Sequence, residues 1–193
     1  MGDTAEAPVR ERILDAALSL LRDVGAKKLA QPQVARLAGV PQGHLTYYFP
    51  RKLDLLVAVG RRFTQMVKRD LAPFLGGPAW DAQDETARER ALGFVAKLVR
   101  DRERTRMLLR LLVEADGDSE LRAAMAEGAG FVRSVLAQTL GKPKDDPDVD
   151  VALAMLWGLG IQHLVLQRSD EETDAVLART RAWIDRMARE GKT

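Results

Sequence analysis

Apolar residues recur at helical spacing along nearly the whole chain, and no stretch alternates apolar and polar as a half-buried strand would. That property admits helices and excludes sheets. Val9, Ile13, Ala16, Ala17, Leu20, Leu21 and Val24 lay one stripe over residues 9–24, and Gly25, with Lys27 and Lys28 beyond it, supplies a stop. A second helix is expected to start near Pro32 and to bury Val34, Leu37 and Ala38. Gly39 permits a tight turn and Val40 plugs the core. A third helix spans residues 42–48, with Leu45 inward and Phe49 closing a small core. A fourth begins at about Arg51 and carries Leu55, Leu56, Val59, Phe63, Met66, Val67 and Leu71, until Pro73 and Gly76-Gly77-Pro78 break it.

Beyond that break the pattern stays helical, over residues 86–100, 105–115, 120–140, 149–166 and 171–189. Asp116-Gly117-Asp118-Ser119 reads as a turn with a helix cap, and Asp146-Pro147 as a cap with a first-turn proline. The fold class is all-α: an N-terminal three-helix bundle over residues 1–50, joined by a long helix to a C-terminal helical domain over residues 51–193.

Composition removes several function classes. The 193 residues include no cysteine, so disulfide scaffolds, thiolate metal sites and Cys nucleophiles are excluded, and a reducing cytoplasm suits the chain. Two histidines, His44 and His163, stand far apart in sequence, which argues against a metal centre. No Ser-His-Asp arrangement, phosphate loop or Glu-x-x-His pair is present, so neither an enzyme nor a cofactor is expected. Residues 1–10 lack the apolar run of a signal peptide. Residues 149–166 nearly reach the length of a bilayer span, but Asp150, Gln162 and His163 interrupt them near both ends. A soluble helix that is apolar all round needs cover on several sides. Together with the apolar side of the last helix (Val176, Leu177, Trp183, Ile184, Met187), it points to a dimer interface through the last two helices.

Charge is unevenly placed. Up to Leu53 there are eight basic and five acidic residues, and the remainder holds 22 basic against 23 acidic, so the mild basic excess sits near the N-terminus. There, Gln33 to Lys52 reads Q-V-A-R-L-A-G-V-P-Q-G-H-L-T-Y-Y-F-P-R-K: two short helical segments meeting at Gly39-Val40, the second polar and aromatic and ending in a basic pair. That is the pattern of a helix-turn-helix, in which one helix braces on the duplex backbone and the next enters the major groove.

The run R-x-x-I-L-x-A-A-L-x-L-L from Arg10, then V-A-R-L-A-G-V and G-H-L-T-Y-Y-F-P-R-K-L-D-L-L, resembles the DNA-binding head of the TetR (tetracycline-repressor-like) family over about Arg10 to Leu56. The resemblance implies a homodimer on a palindromic operator, acting as a repressor, with a C-terminal helical domain that holds a small-molecule inducer and the dimer interface. A ligand-independent activator or architectural DNA-binding protein is the alternative. The chain departs from the family pattern where Ala30-Gln31-Pro32 replaces the capping Thr or Ser of the second helix, and where Pro41, Thr46 and Leu53 stand for the usual Ser, Tyr and Glu. Gln31 caps poorly but reaches toward a phosphate.

Within that motif each residue type has a chemical role. Gln42 can pair with adenine through its amide, and His44 can donate to guanine or to a phosphate. Tyr47 and Tyr48 carry hydroxyls on rigid arms, although Tyr48 beside Phe49 equally suits a core position. Thr46 suits a phosphate or a thymine methyl, and Gly43 lets the backbone approach the duplex. Lys52 opens the fourth helix as a phosphate ligand, with Arg51 and Gln33 as further contacts or solvated surface.

For an inducer, helical bundles offer apolar pockets with few polar anchors. The candidates are Phe63, Met66, Phe94, Leu98, Met107, Leu111, Phe131, Val135, Met155, Trp157, Leu159, Gln162 and His163, each with a competing role as plain core. The expected effector is mostly neutral and hydrophobic.

Overall fold

A computed structural model describes residues 8–24, 29–72 and 85–190. Among the described residues there are nine helices and no strand: α1 (Val9–Val24), α2 (Gln31–Leu37), α3 (Gln42–Tyr48), α4 (Lys52–Leu71), α5 (Glu85–Arg100), α6 (Arg102–Asp116), α7 (Ser119–Leu140), α8 (Pro147–Leu166) and α9 (Asp170–Glu190). The expected stop at Gly25, Lys27 and Lys28, and the break at Pro73 and Gly76-Gly77-Pro78, lie outside the described residues.

The helices begin and end for local reasons. The α2 chain end is a Schellman motif: Val40 N–H donates to the Ala35 carbonyl at 3.0 Å and Gly39 N–H to that of Arg36 at 3.2 Å. Gly39 has φ +64°, a conformation that glycine reaches without strain. The end of α7 repeats the device, with Gly141 at φ +63° and Lys142 N–H donating to Ala137. Asp118 caps α7 by accepting from Leu121 N–H at 2.7 Å, and Asp146 caps α8 by accepting from Asp148 N–H at 2.8 Å. A full capping box opens α9: Glu172 N–H donates to Ser169 Oγ at 3.1 Å, and Ser169 N–H to the Glu172 carboxylate at 2.9 Å.

The chain forms two compact units, Met1–Gln65 with Met107–Ala126, and Met66–Arg106 with Glu127–Thr193. In the first, α1, α2 and α3 pack on one another, and Ile13, Ala17, Leu21, Leu29, Val34 and Leu45 are essentially inaccessible. One expectation fails here. Leu37 is 54% exposed, and Ala35 takes the inward place. A seven-residue helix wedged between α1 and α3 buries an arc running through Val34, Ala38 and Ala35, and Leu37 lies about 60° outside that arc. α4 is held to α1 by Arg62, which pairs with Glu11 at 2.9 Å and Asp15 at 3.2 Å. Gly60 of α4 lets Leu121 of α7 come close: a Cβ there would sit 3.1 Å from Leu121 Cδ1.

In the second unit, Leu136, Ala137, Leu140, Val149, Ala152 and Ile184 form one core cluster, against which Trp183 and Met187 pack. α8 has two faces. Val149, Ala152, Leu156, Gly160 and His163 are buried, while Val151, Ala154, Ile161 and Val165 on the opposite side are exposed. Among the described residues α8 is the one helix long and apolar enough to cross a membrane. Its buried face is already taken up by the protein itself.

Candidate nucleic-acid interface

α3 is positioned by what it buries. Leu45 is its one buried side chain, and Phe49, just past its end, is buried too. Every other side chain of the helix points away from the core. Gln42, His44 and Thr46 are exposed, Tyr47 is 81% exposed and Tyr48 42%. Tyr48 is therefore a surface residue. The two tyrosine rings stand edge to face, 5.3 Å apart at 83°, so each restricts the other's rotation. Around Gly43 a Cβ would meet nothing within 4 Å, so internal packing does not require glycine there. What the missing side chain leaves open is close approach from outside.

Some candidates have their polar groups partly engaged. Thr46 Oγ1 donates to the Gln42 carbonyl at 3.0 Å, one turn back, which leaves its lone pairs free and its methyl outward. Arg51 is the N-cap residue of α4, and its backbone N–H donates to Asp54 Oδ2 at 2.8 Å. That is half of a capping box with aspartate at the third helical position. The Arg51 guanidinium returns to the same carboxylate through Nε at 2.9 Å and through Nη2. The hydrogen bond and charge of Asp54 raise the Arg51 pKa, and the bonds from Arg51 lower that of Asp54. Lys52, at the first position of α4, is half-buried, and Gln33 and Arg36 on α2 are exposed.

Gln31 is directed inward. Its Nε2 donates to the Phe49 carbonyl at 2.7 Å, while Ala30, the N-cap of α2, provides no side-chain bond. Over the Phe49 ring lies the Arg10 guanidinium, 5.7 Å from the centroid. Sequence reasoning missed these ties. The aspartate three residues after Arg51 was a readable signal for the cap; nothing in the sequence announces the Gln31–Phe49 bond.

The apolar candidates divide between the two units. Phe94, Leu98, Phe131 and Val135 come together around Leu71, with Lys68 Nζ 5.4 Å from the Phe131 ring centroid. Phe63, Met107 and Leu111 are buried in the first unit, and Met66 is half-buried in the second. Met155, Trp157 and Leu159 are half-buried along α8. Gln162 is exposed, and its Oε1 accepts from Arg168 at 3.1 Å, so its partner is a surface arginine. His163 is buried, with Nδ1 3.2 Å from Thr173 Oγ1, whose hydroxyl lies 2.8 Å from the Ser169 carbonyl. Burial, with the charges of Arg102 and Arg100, lowers the His163 pKa below the ordinary histidine range. A surface concavity of about 410 Å³ at the end of α7, lined by Ser134, Gln138, Lys142 and Lys144 among others, includes none of these candidates.

Residues 13–59 match the description of bacterial regulatory proteins, tetR family. The chain is 31% identical to the HTH-type transcriptional repressor KstR of Mycolicibacterium smegmatis over 76% of this chain and 71% of that protein. It is 39% identical to the HTH-type transcriptional regulator BetI of Cronobacter sakazakii, over 34% of this chain and 33% of that protein. Among solved structures, a transcriptional regulator of Streptomyces coelicolor A3(2) superposes with a TM-score of 0.71 at 26% identity, covering 89% of this chain and 97% of that one. The multidrug binding protein EbrR, complexed with imidazole, superposes with a TM-score of 0.67 at 28% identity, covering 91% of this chain and 96% of that one.

Proposed function

The chain belongs to the TetR family of bacterial regulatory proteins, and from that premise we propose that it is a homodimeric repressor, released from a palindromic operator by a small organic effector. Residues 1–50 read the operator, and residues 51–193 bind the effector and dimerise. The observation that carries the reading is the outer face of α3, where Gln42, His44 and Tyr47 stand free of the core around a glycine. Their donors and acceptors suit base edges in the major groove, and Gln33, Thr46, Tyr48, Arg51 and Lys52 suit phosphates beside them.

Dimerisation is assigned to α8 and α9. The exposed side of α8 carries Val151, Ala154, Ile161 and Val165 at spacings of three, seven and four residues, the seam that a second helix covers. The two α3 helices of such a dimer would reach one face of the duplex roughly one helical turn apart. Support for a small effector comes from EbrR, which has been seen with imidazole and with proflavin. Here the cluster around Leu71 is the apolar candidate site. α4 contributes residues to both compact units, so its displacement is the assigned route from effector to operator. To weaken the operator a hundredfold, the effector must favour the released state by about 3 kcal/mol.

Selection of bound sequences from random DNA by the purified protein tests this. A palindrome with half-sites roughly 10 base pairs apart is the expected product. Recovery of unrelated sequences would remove operator reading from the chain.

A further inference from the structure

We propose that Gln31 is a positioning residue for operator reading: it fixes the far end of α3 in the free protein and makes no phosphate contact. The inference rests on α3 being the base-reading helix, and the test below separates the two ideas.

α3 has seven residues, too few to be stable by its own hydrogen bonds. Pro41 at its start provides no side-chain cap, and Phe49 at its end has φ −138° and ψ 81°, not the left-handed turn that closes α2 and α7. Leu45 is the single side chain that the helix itself buries. One anchor would let so short a rod swivel about it. The second anchor is Phe49, and three groups hold it. Its N–H donates to the Leu45 carbonyl at 2.8 Å, its ring lies beneath Arg10, and its carbonyl receives Gln31 Nε2 at 2.7 Å. The last of these ties the first residue of α2 to the residue that ends α3, eighteen positions away. At the mouth of α2, Ala30 has no side chain with which to cap. The amide next to it is used across the motif, on the partner helix.

A positioning role and a phosphate role differ in two observables. A phosphate contact supports all duplexes alike, so its loss weakens specific and non-specific binding together. An orienting contact matters where bases are read, so its loss lowers the specific affinity alone. An orienting contact also acts before DNA arrives.

The experiment uses the full chain with the selected operator and with a random-sequence duplex of equal length. Gln31→Met keeps the length and removes the donor. Operator affinity should fall about tenfold while random-duplex affinity holds. Without DNA, the amides of Tyr47, Tyr48 and Phe49 should exchange faster in Gln31→Met and in Gln31→Glu. The glutamate cannot donate when ionised, yet it favours the start of α2, so faster exchange there reports the lost bond and not a weakened α2. Gln31→Arg restores a donor and should restore protection. Unchanged exchange in both donor-free variants overturns the proposal, as does an equal loss of affinity on the two duplexes. If the wild-type chain selects no sequence but exchange still quickens, positioning stands and base reading by α3 fails.

Discussion

α3 and α8 are both left partly uncovered, and they are uncovered in opposite ways. α3 buries one leucine and turns amides, an imidazole and phenols outward. α8 buries one apolar face and turns a second apolar face outward, with Val165 68% exposed. Polar groups in water lose nothing while they wait for a polar partner. An exposed apolar stripe forgoes about 25 cal/mol for each Å² that a partner could cover. The same chain thus carries one wet surface and one dry surface. Each surface is fixed by the buried side of its own helix.

That contrast can be broken at either end. The largest effect is expected from Ile161→Asp with Val165→Asp, which places two charges on the dry face. Sedimentation should show monomers, and sequence-selective binding should vanish although the head stays folded. A double variant that remains dimeric would move the interface off α8. Next in size is Leu45→Ala, which removes the buried anchor of α3. It should cost about 3 kcal/mol of stability in denaturant titration, within the range for leucine truncation in a core. A loss below about 1 kcal/mol would mean that α3 is held chiefly from outside this residue.

On the wet face, Tyr47→Ala should weaken operator binding by about 2 kcal/mol without changing thermal stability, since the ring is outside the core. Lys52→Ala should weaken all duplexes by about 1 kcal/mol and flatten the dependence of log affinity on log salt by about one. An unaltered salt slope would take Lys52 off the phosphates.

The smallest effect concerns pH. The His163 pKa is lowered in the folded state, so above the unfolded value of about 6.5 the imidazole is neutral in both states and stability is full. As pH falls through that value, the unfolded chain takes up a proton that the folded chain resists, and stability declines. Denaturant midpoints from pH 7.5 to pH 5 should fall more steeply in the wild type than in His163→Asn. Parallel curves would show that the buried imidazole titrates normally.

How far the sequence reached differs between the same two regions. The pattern of apolar residues placed the start of α1 and both ends of α3 where they are observed, because a single stripe of Ile13, Ala17 and Leu21, or one inward Leu45, leaves few choices of face. It misplaced Leu37, because α2 packs on two neighbours and a seven-residue pattern cannot show which arc both will share. The exposed face of α3 was visible as a polar, aromatic run. The inward use of Gln31 was not, because it depends on where Phe49 ends α3 in space. For the second unit, apolar type and spacing are the same for core, pocket and interface. Phe94 and Val135 proved to share one cluster and Gln162 to lie on the surface, distinctions that depend on tertiary neighbours.

The chain has no cysteine, so a single one can carry a DNA-cleaving reagent to a chosen point. Pro41→Cys, at the exposed mouth of α3, would bring the reagent to the major groove of the selected operator. Two clusters of strand breaks, centred roughly 10 base pairs apart and symmetric about the palindrome, are expected. Breaks confined to the minor groove, or none above those produced by the same reagent at an exposed residue of α6 such as Val113, would contradict the placement of α3 against the bases.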